Sequence, residues 1–317
     1  MMREIGGYIE FEHYYGWMLH EDALALNCGR NCLGYLFKSR EIKKLKVPYF
    51  ICDSILSVCD REGVEITYYH IDSTFHPTSD LTLESDEWLY LVNFYGQLSN
   101  EEIEAYVERY DRVIIDQANN YFAEPIPHVD TLYTCRKWFG VADGALLYTD
   151  KLLTDDFQQD ESYDRMEFLL GRFERSANEF YTGYNANNKF FNNQPIKRMS
   201  KLTENLLRGI DYEFVKNRRQ ENFLYLQERL GTINQLILEP ALFMYPFMIN
   251  NGAEVRKKLQ TEKIYIPTLW PAVFEVVGQD SLEYNMAENI LPLPIDQRYK
   301  TDDMKYLVER IYSILEE

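Results

Sequence analysis

Short apolar runs alternate with stretches of helical period through the first half of the chain, and the two periods sort its elements. Ala23 to Leu26 reads as a buried strand that stops at Asn27, and Asn31 to Lys38 carries Leu33, Leu36 and Phe37 at helical spacing. A helix from about Asp53 to Arg61 starts on a capping aspartate and carries Ile55, Leu56 and Val58; Gly63 follows it, before the strand Val64 to Tyr69. Residues 70–86 show no sustained period and read as a loop with a short extended piece. Trp88 to Val92 is the next strand. Ser99 with Glu102 then forms a capping-box signature, and Ile103, Tyr106, Val107 and Tyr110 make one helical face. The run Val113 to Ile115 delivers Asp116 at its end. A second run, Val129 to Tyr133, leads into Thr134, Arg136 and Lys137, and after Gly140 and Gly144 the segment Ala145 to Tyr148 reads as a further strand. Strand, crossover helix, strand is the repeating unit, so the pattern predicts an α/β fold: a mostly parallel sheet with helices on both faces.

Past Asp150 the texture changes. An acidic, helical stretch recurs with Met166, Phe168, Leu169, Phe173 and Phe180, and residues 183–197, GYNANNKFFNNQPIK, read as an ordered excursion or interface loop, too aromatic for a flexible tether. A long helix is expected from near Ser200 to Gly231, with Gly209, about 1 kcal/mol worse than alanine in a helix, as a bend. The last third reads as a small mixed domain: strand ALFMYPFMI, helix GAEVRKKLQ, strand KIYIPTLWP, the extended NILPLPID and a closing amphipathic helix. The expected division is residues 1–199 as a large cofactor-binding domain and 200–317 as the connecting helix and a small C-terminal α/β domain.

The 317 residues suffice for one substantial core and part of a second, and 46% apolar with 26% charged residues is ordinary for a globular protein. A formal charge of −18 argues against a nucleic-acid surface, while leaving room for a few local cations to hold a small anion. The five cysteines include Cys28 and Cys32 four apart without a second clustered pair, which favours reduced, part-buried thiols in a cytoplasmic protein over a zinc site. The start, MMREIGGYIEFEHYYG, lacks the continuous apolar core of a secretion signal, and nowhere do eighteen apolar residues follow one another as a membrane span needs.

Strand ends are where chemistry is usually placed in α/β proteins. Lys137 and Asp116, on neighbouring strand ends, are the pair that a pyridoxal 5'-phosphate enzyme needs: an amine to bond the cofactor's aldehyde and an anion to keep its ring nitrogen protonated. Taken alone, the two also fit a solvated surface lysine and a turn or cap aspartate. Cys28-Gly29-Arg30, between the first strand and helix, is either a common turn or one whose glycine lets free helix amides point at an anion.

The segments IIDQAN, TCRKWFGVADGA, LNCGRNCL, NFYG and KRMS together make the sequence similar to the DegT/DnrJ/EryC1/StrS family, sugar aminotransferase-like enzymes with the aspartate aminotransferase type of fold (fold type I). The resemblance covers nearly the full length, as a compact, divergent member without the internal insertion of larger members. It implies that Lys137 is the catalytic lysine, that Asp116 supports the ring nitrogen, and that Asn119, standing for the family's glutamine, contacts the cofactor hydroxyl. It implies further that Gly29 lies at the cofactor phosphate, where Arg30 offers a compensating charge and Thr134 is placed by its chemistry and not by the family pattern, and that Asn93 and Tyr95 lie beneath the ring; these last two read equally well as a strand-end turn packed by an aromatic. Arg198, with Lys197 or an asparagine such as Asn188, is expected to reach the phosphate site of a partner subunit in a homodimer. The implied activity is cytoplasmic transfer of an amino group from an amino acid donor to a keto acceptor, a nucleotide-linked 4-keto sugar being the expected class. The departures at Cys28, Asn119 and Ile196 leave two alternatives open: a catalytically silent partner or scaffold protein, and another reaction of the same cofactor, such as dehydration.

Overall fold

The structure is a computed structural model that describes residues 5–317, so the first four residues of the N-terminal segment lie outside it. Seven strands, β1 (Leu24–Leu26), β2 (Lys44–Pro48), β3 (Glu65–Tyr69), β4 (Glu87–Val92), β5 (Val113–Asp116), β6 (Asp130–Thr134) and β7 (Ala145–Tyr148), form one sheet in the order β1-β7-β6-β5-β4-β2-β3. The pairs β2–β3, β2–β4, β4–β5 and β5–β6 are parallel, and β7 runs antiparallel to both β6 and β1. Strands covered on both faces need apolar side chains at every position, which is why β5 is buried throughout and why its run is continuous rather than alternating.

Helices α1 (Gly29–Ser39), α2 (Asp53–Glu62) and α3 (Asn100–Arg109) make the crossovers. The expected capping box starts α3: the Ser99 hydroxyl accepts from the Glu102 amide, and the Glu102 carboxylate accepts from the Ser99 amide at 2.8 Å. Register then fixes the site. Asp116, the last residue of β5, lies between Val92 of β4 and Leu132 of β6, so Asn93, Asp116 and the turn holding Lys137 emerge from one end of the sheet.

The second half departs from the sequence expectation in three places. After α4 (Glu167–Glu174), the Asn-rich stretch folds into a helix, α5 (Tyr181–Phe190), instead of a loop. The long helix is two, α6 (Lys201–Arg208) and α7 (Tyr212–Leu230), and the Asp211 carboxylate restarts the second by accepting from the Phe214 amide at 2.9 Å. Gly209 ends the first because the N-terminal segment crosses there: a Cβ would sit 2.9 Å from the Tyr14 ring. Third, KIYIPTLWP is irregular. Pro267 and Pro271 remove amide donors that a ladder needs, and β8 (Met244–Met248) pairs with β9 (Ile290–Pro294) instead. Helices α8 (Gly252–Thr261), α9 (Val273–Val276), α10 (Leu282–Asn289) and α11 (Thr301–Leu315) complete the chain.

The buried apolar side chains gather in two clusters. The first fills both faces of the seven-stranded sheet; the second joins Phe223 and Leu226 of α7, Tyr245 and Phe247 of β8, Leu291 and Leu293 of β9, and Met304 to Ile314 of α11. Among the described residues no helix is long and apolar enough to cross a membrane.

Candidate active site

Asp116 is 9% exposed, and both of its oxygens are held. The Tyr90 hydroxyl donates to Oδ2 at 2.7 Å, and the Ala118 amide donates to Oδ1 at 2.8 Å. Burial first, and then the Asp116 charge, drive the Tyr90 phenol far above its ordinary pKa, so Tyr90 is the donor in this pair. A carboxylate oxygen can accept more than one bond, so the group is aimed by two donors and still able to take a third.

Lys137 follows β6 in a tight turn in which the Trp138 and Phe139 amides donate to the Cys135 carbonyl. Its side chain is exposed, makes no ion pair among the described residues, and places Nζ 5.6 Å from the centre of the Phe243 ring. Trp138 ties this turn to Asp116: its indole NH donates to the Ala118 carbonyl at 3.0 Å, and the amide of the same Ala118 holds the carboxylate. The Trp138 carbonyl in turn accepts from Gln297 at 2.9 Å and from the buried Arg219 of α7 at 3.4 Å. Arg219 lies with its guanidinium 4.4 Å from the Trp138 ring centre, and burial pushes its pKa down to about 10. Farther along the same loop, Asp143 accepts from the Ser200 amide and hydroxyl, each at 2.7 Å, and from Thr203, which pins the loop to the start of α6. Gly144 has φ +109°, and a Cβ there would lie 3.0 Å from Thr203, so this approach requires glycine.

At the start of α1 the amides of Gly29 and Arg30 have no acceptor among the described residues, and Cys28, at the N-cap, makes no side-chain cap. A Cβ built on Gly29 meets nothing within 4 Å, so the space beside its Cα is open. Arg30 follows Gly29 in α1, and its Nε is buried without a hydrogen-bond partner among the described residues. Arg136, beside the lysine, bonds to Asn188, with its guanidinium 4.8 Å from the centre of the Phe191 ring. Burial above all pushes its pKa down; the Cys28 thiol and Arg30 are both near enough to act on it.

The remaining expected site residues divide. Thr134 ends β6, paired with Ala145. The Asn119 side-chain oxygen accepts from the Tyr95 amide at 3.4 Å. Asn93 and Tyr95 both sit in the turn at the end of β4. The Asn93 amide donates to the Leu98 carbonyl and to Gln117, each at 3.0 Å, and its oxygen accepts from the Leu98 amide at 2.8 Å, so the group is fully engaged in closing the strand-end turn. Tyr95 holds φ +55° in that turn, and its ring is buried against Phe75, Phe243 and Trp270 rather than facing an open site. Arg198 lies along β1, where the Lys197 carbonyl takes the Asn27 amide and the Met199 amide reaches the Ala25 carbonyl; its exposed side chain donates to the Phe157 carbonyl at 3.1 Å. Asn188 and Phe191, expected at an interface, make contacts within the chain: Asn188 accepts from Arg136, and the guanidinium groups of Arg136 and Arg165 lie 4.8 and 5.1 Å from the centre of the Phe191 ring.

Sequence reasoning did not single out Tyr90, Trp138 or Arg219, and it named Arg136 only in passing. The signals were present for two of them. An arginine and a tryptophan flanking a candidate lysine were available to question, whereas Tyr90 and Arg219 reach the site only through folding.

These residues fit a pyridoxal 5'-phosphate cofactor: a doubly held carboxylate, an amine outside any ion pair, and an open helix N-terminus with an unpaired guanidinium nitrogen beside it.

No family model matches the sequence, and no curated protein matches it. Solved structures do match along nearly the whole chain. CalS13, a sugar aminotransferase from Micromonospora echinospora, is 16% identical over 92% of this chain and 87% of its own, with a TM-score of 0.64. A DegT DnrJ EryC1 StrS aminotransferase from Brucella abortus is 15% identical over 92% and 85%, at 0.61. NtdA from Bacillus subtilis, with bound cofactor PMP, is 13% identical over 93% and 73%, at 0.67. Likeness at such identities is likeness of fold, and from the first strand to the last helix the chain has the fold of the DegT/DnrJ/EryC1/StrS aminotransferases.

Proposed function

We propose that the chain belongs to that family and is a pyridoxal 5'-phosphate-dependent aminotransferase, moving an amino group from an amino acid donor to the carbonyl of a nucleotide-linked keto sugar. The observation that carries the reading is the Asp116–Ala118–Trp138 linkage, which binds the candidate anion and the lysine turn into one unit on this fold. When bound, the cofactor supplies a carbonyl carbon that takes the amino group and a ring that accepts electrons. Asp116, aimed by Tyr90 and Ala118, holds the proton on the ring nitrogen through a charge-assisted hydrogen bond. Lys137 Nζ would bond the cofactor's aldehyde and, once released by exchange with the donor amine, would serve as the general base and acid that moves the donor's α-proton. Gly29 and Arg30 bind the phosphate end, with Thr134 beside them, and Asn119 orients the cofactor hydroxyl.

The keto-sugar acceptor is proposed from the sugar aminotransferase on the same fold. A homodimer in the cytoplasm completes the reading, Arg198 reaching the partner's phosphate site. Its support is the apolar surface around α4 and α5, where Phe173 is 91% exposed and Leu170, Tyr181 and Tyr184 lie open, more than an isolated chain usually leaves in one region. The test is an incubation with glutamate and, in parallel, a nucleotide-linked 4-keto sugar or a small keto acid, read by mass spectrometry of the products. An amino sugar supports the proposal. An aminated keto acid in its place reassigns the acceptor, and neither product, with cofactor bound, contradicts the aminotransferase reading.

A further inference from the structure

Two apolar surfaces of this protein lie uncovered. The first is the segment 5–17, which has no helix or strand and is exposed at every position. Ile5, Tyr8, Ile9 and Tyr15 are almost wholly in solvent, and Phe11 and Trp17 more than half so. The later part of the segment is fastened to its own chain. Asn205 of α6 takes the Tyr14 amide at 2.9 Å and donates to the Glu12 carbonyl at 2.8 Å, Arg208 donates to the Gly16 carbonyl at 3.3 Å, and the Trp17 ring lies 5.1 Å from that of Tyr212. Residues 5–11 bond to nothing outside the segment among the described residues. The second surface is the outer side of α4 and α5. These helices approach closely through glycines: the Phe180 ring lies where a Cβ on Gly171 would stand, and a Cβ on Gly183 would lie 3.2 Å from Phe168. Phe168 also meets Tyr184 at 6.0 Å between ring centres. The close pairing leaves Leu170, Phe173, Tyr181 and Tyr184 in solvent.

Area, reach and charge fit the first surface to the second. At ~200 Å² for an aromatic side chain, the segment exposes about 1,000 Å² of apolar side chain. Covering half of that on each of two copies, with as much of the surface beneath, buries about 2,000 Å², which is what a stable homodimer uses. Residues 5–11, extended at ~3.4 Å each, reach about 24 Å beyond the anchor at Glu12, enough to cross two packed helices of about 10 Å each. The chain as a whole carries a formal charge of −18, so an acidic segment is repelled from most of its surface. The face on α4 offers Arg172, exposed beside Phe173 and without an ion pair among the described residues, and the segment brings Glu12, which likewise makes none.

We propose that residues 5–17 form an arm that leaves its own subunit and lies on the α4–α5 face of a second copy of this chain, with its apolar side chains against Leu170, Phe173, Tyr181 and Tyr184 and its acidic ones toward Arg172. The inference rests on the homodimer proposed above and not on the cofactor reading. Each copy gives one arm and receives one, so the exchange closes on itself and produces a two-fold dimer instead of an open chain of subunits.

The test places the photoreactive p-benzoylphenylalanine in the full-length protein in place of Tyr8, allows its subunits to exchange with isotopically heavy ones lacking the probe, and locates the attachment after irradiation by peptide mass spectrometry. The light arm should attach to residues 167–190 of a heavy subunit. Sedimentation velocity gives a second readout. Phe173→Glu and Tyr8→Ser change side chains that are almost wholly in solvent, so both should fold as the wild type does, yet each should raise the dissociation constant of the dimer about tenfold or more. No attachment between subunits, attachment to another segment, or an unchanged dissociation constant in either variant would overturn the arm while leaving a homodimer held by other contacts. A wild-type protein that sediments as a monomer would overturn the arm and the homodimer together, and the attachment of the cofactor to Lys137 would still be decided by its own measurement.

Discussion

Replacing Asp116 by asparagine separates charge from shape at the centre of the proposed site. The two groups that hold the carboxylate accommodate the change unequally. Ala118 offers an amide that can only donate, so the asparagine oxygen must take that side; the Tyr90 hydroxyl, which now donates at 2.7 Å, can turn and accept from the new NH2. The variant should fold, with a stability loss of about 1 kcal/mol as one charged hydrogen bond becomes neutral. Its electrostatic loss is larger. Two unit charges roughly 4 Å apart at an effective dielectric constant of about 20 attract by about 4 kcal/mol, and each ~1.4 kcal/mol is tenfold in rate. Even with part of that compensated by solvent, the half-reaction with an amino donor should slow by about a hundredfold or more. The assay is single-turnover conversion of the bound cofactor to its pyridoxamine form, followed by absorbance at saturating donor. A folded, cofactor-loaded Asp116→Asn protein that reacts at the wild-type rate would show that Asp116 does not hold the ring.

Arg219→Met removes donors to the carbonyls of Leu242, Phe243 and Trp138 and should cost about 2–4 kcal/mol of stability in urea unfolding, with slower cofactor attachment in the folded fraction; a loss under ~1 kcal/mol would contradict the anchoring of the lysine turn by Arg219. His20 stacks on Tyr133 at 4.2 Å and donates from Nε2 to the Tyr121 carbonyl at 2.6 Å, and burial lowers its pKa from 6.5. The unfolded chain therefore takes up the proton first: the His20 contribution is complete above about pH 6.5 and is lost as pH falls through the lower folded value, so His20→Gln should flatten the decline of stability on acidification, and an unchanged slope would remove His20 as its cause. Mixing Lys137→Ala with Arg198→Ala subunits should restore part of the activity, because one site of the heterodimer carries neither defect; no recovery after verified exchange between folded variants would place the site within one chain.

The sheet was legible because its physics is local. Strands covered on both faces must be apolar throughout, so β4 and β5 declare themselves, and Ser99 with Glu102 announces a helix start by chemistry alone. Strand order then brings Asp116 beside Tyr90, 26 positions away, a pairing that no spacing along the chain encodes. The helix α5 was misread because asparagine has low intrinsic helix propensity; there Asn187 and Asn188 bond to the lysine loop and Phe191 packs under two arginines, and tertiary contacts outweigh the local preference. The alternating KIYIPTLWP looked like a strand until its prolines were weighed against the ladder they would interrupt. Asn93 shows the same limit at the site: its three hydrogen bonds, to Leu98 and Gln117, are not encoded by any spacing along the chain.

The claim that organises the site is that Lys137, alone among the lysines, attaches the cofactor. Borohydride reduction of the full-length protein after incubation with pyridoxal 5'-phosphate, followed by peptide mass spectrometry, reads it directly. The account predicts one modified peptide, with the pyridoxyl group on Lys137, and none in the Lys137→Ala protein. Reduction that fixes the cofactor stoichiometrically on another lysine, or a loaded protein in which no lysine is modified, would contradict it.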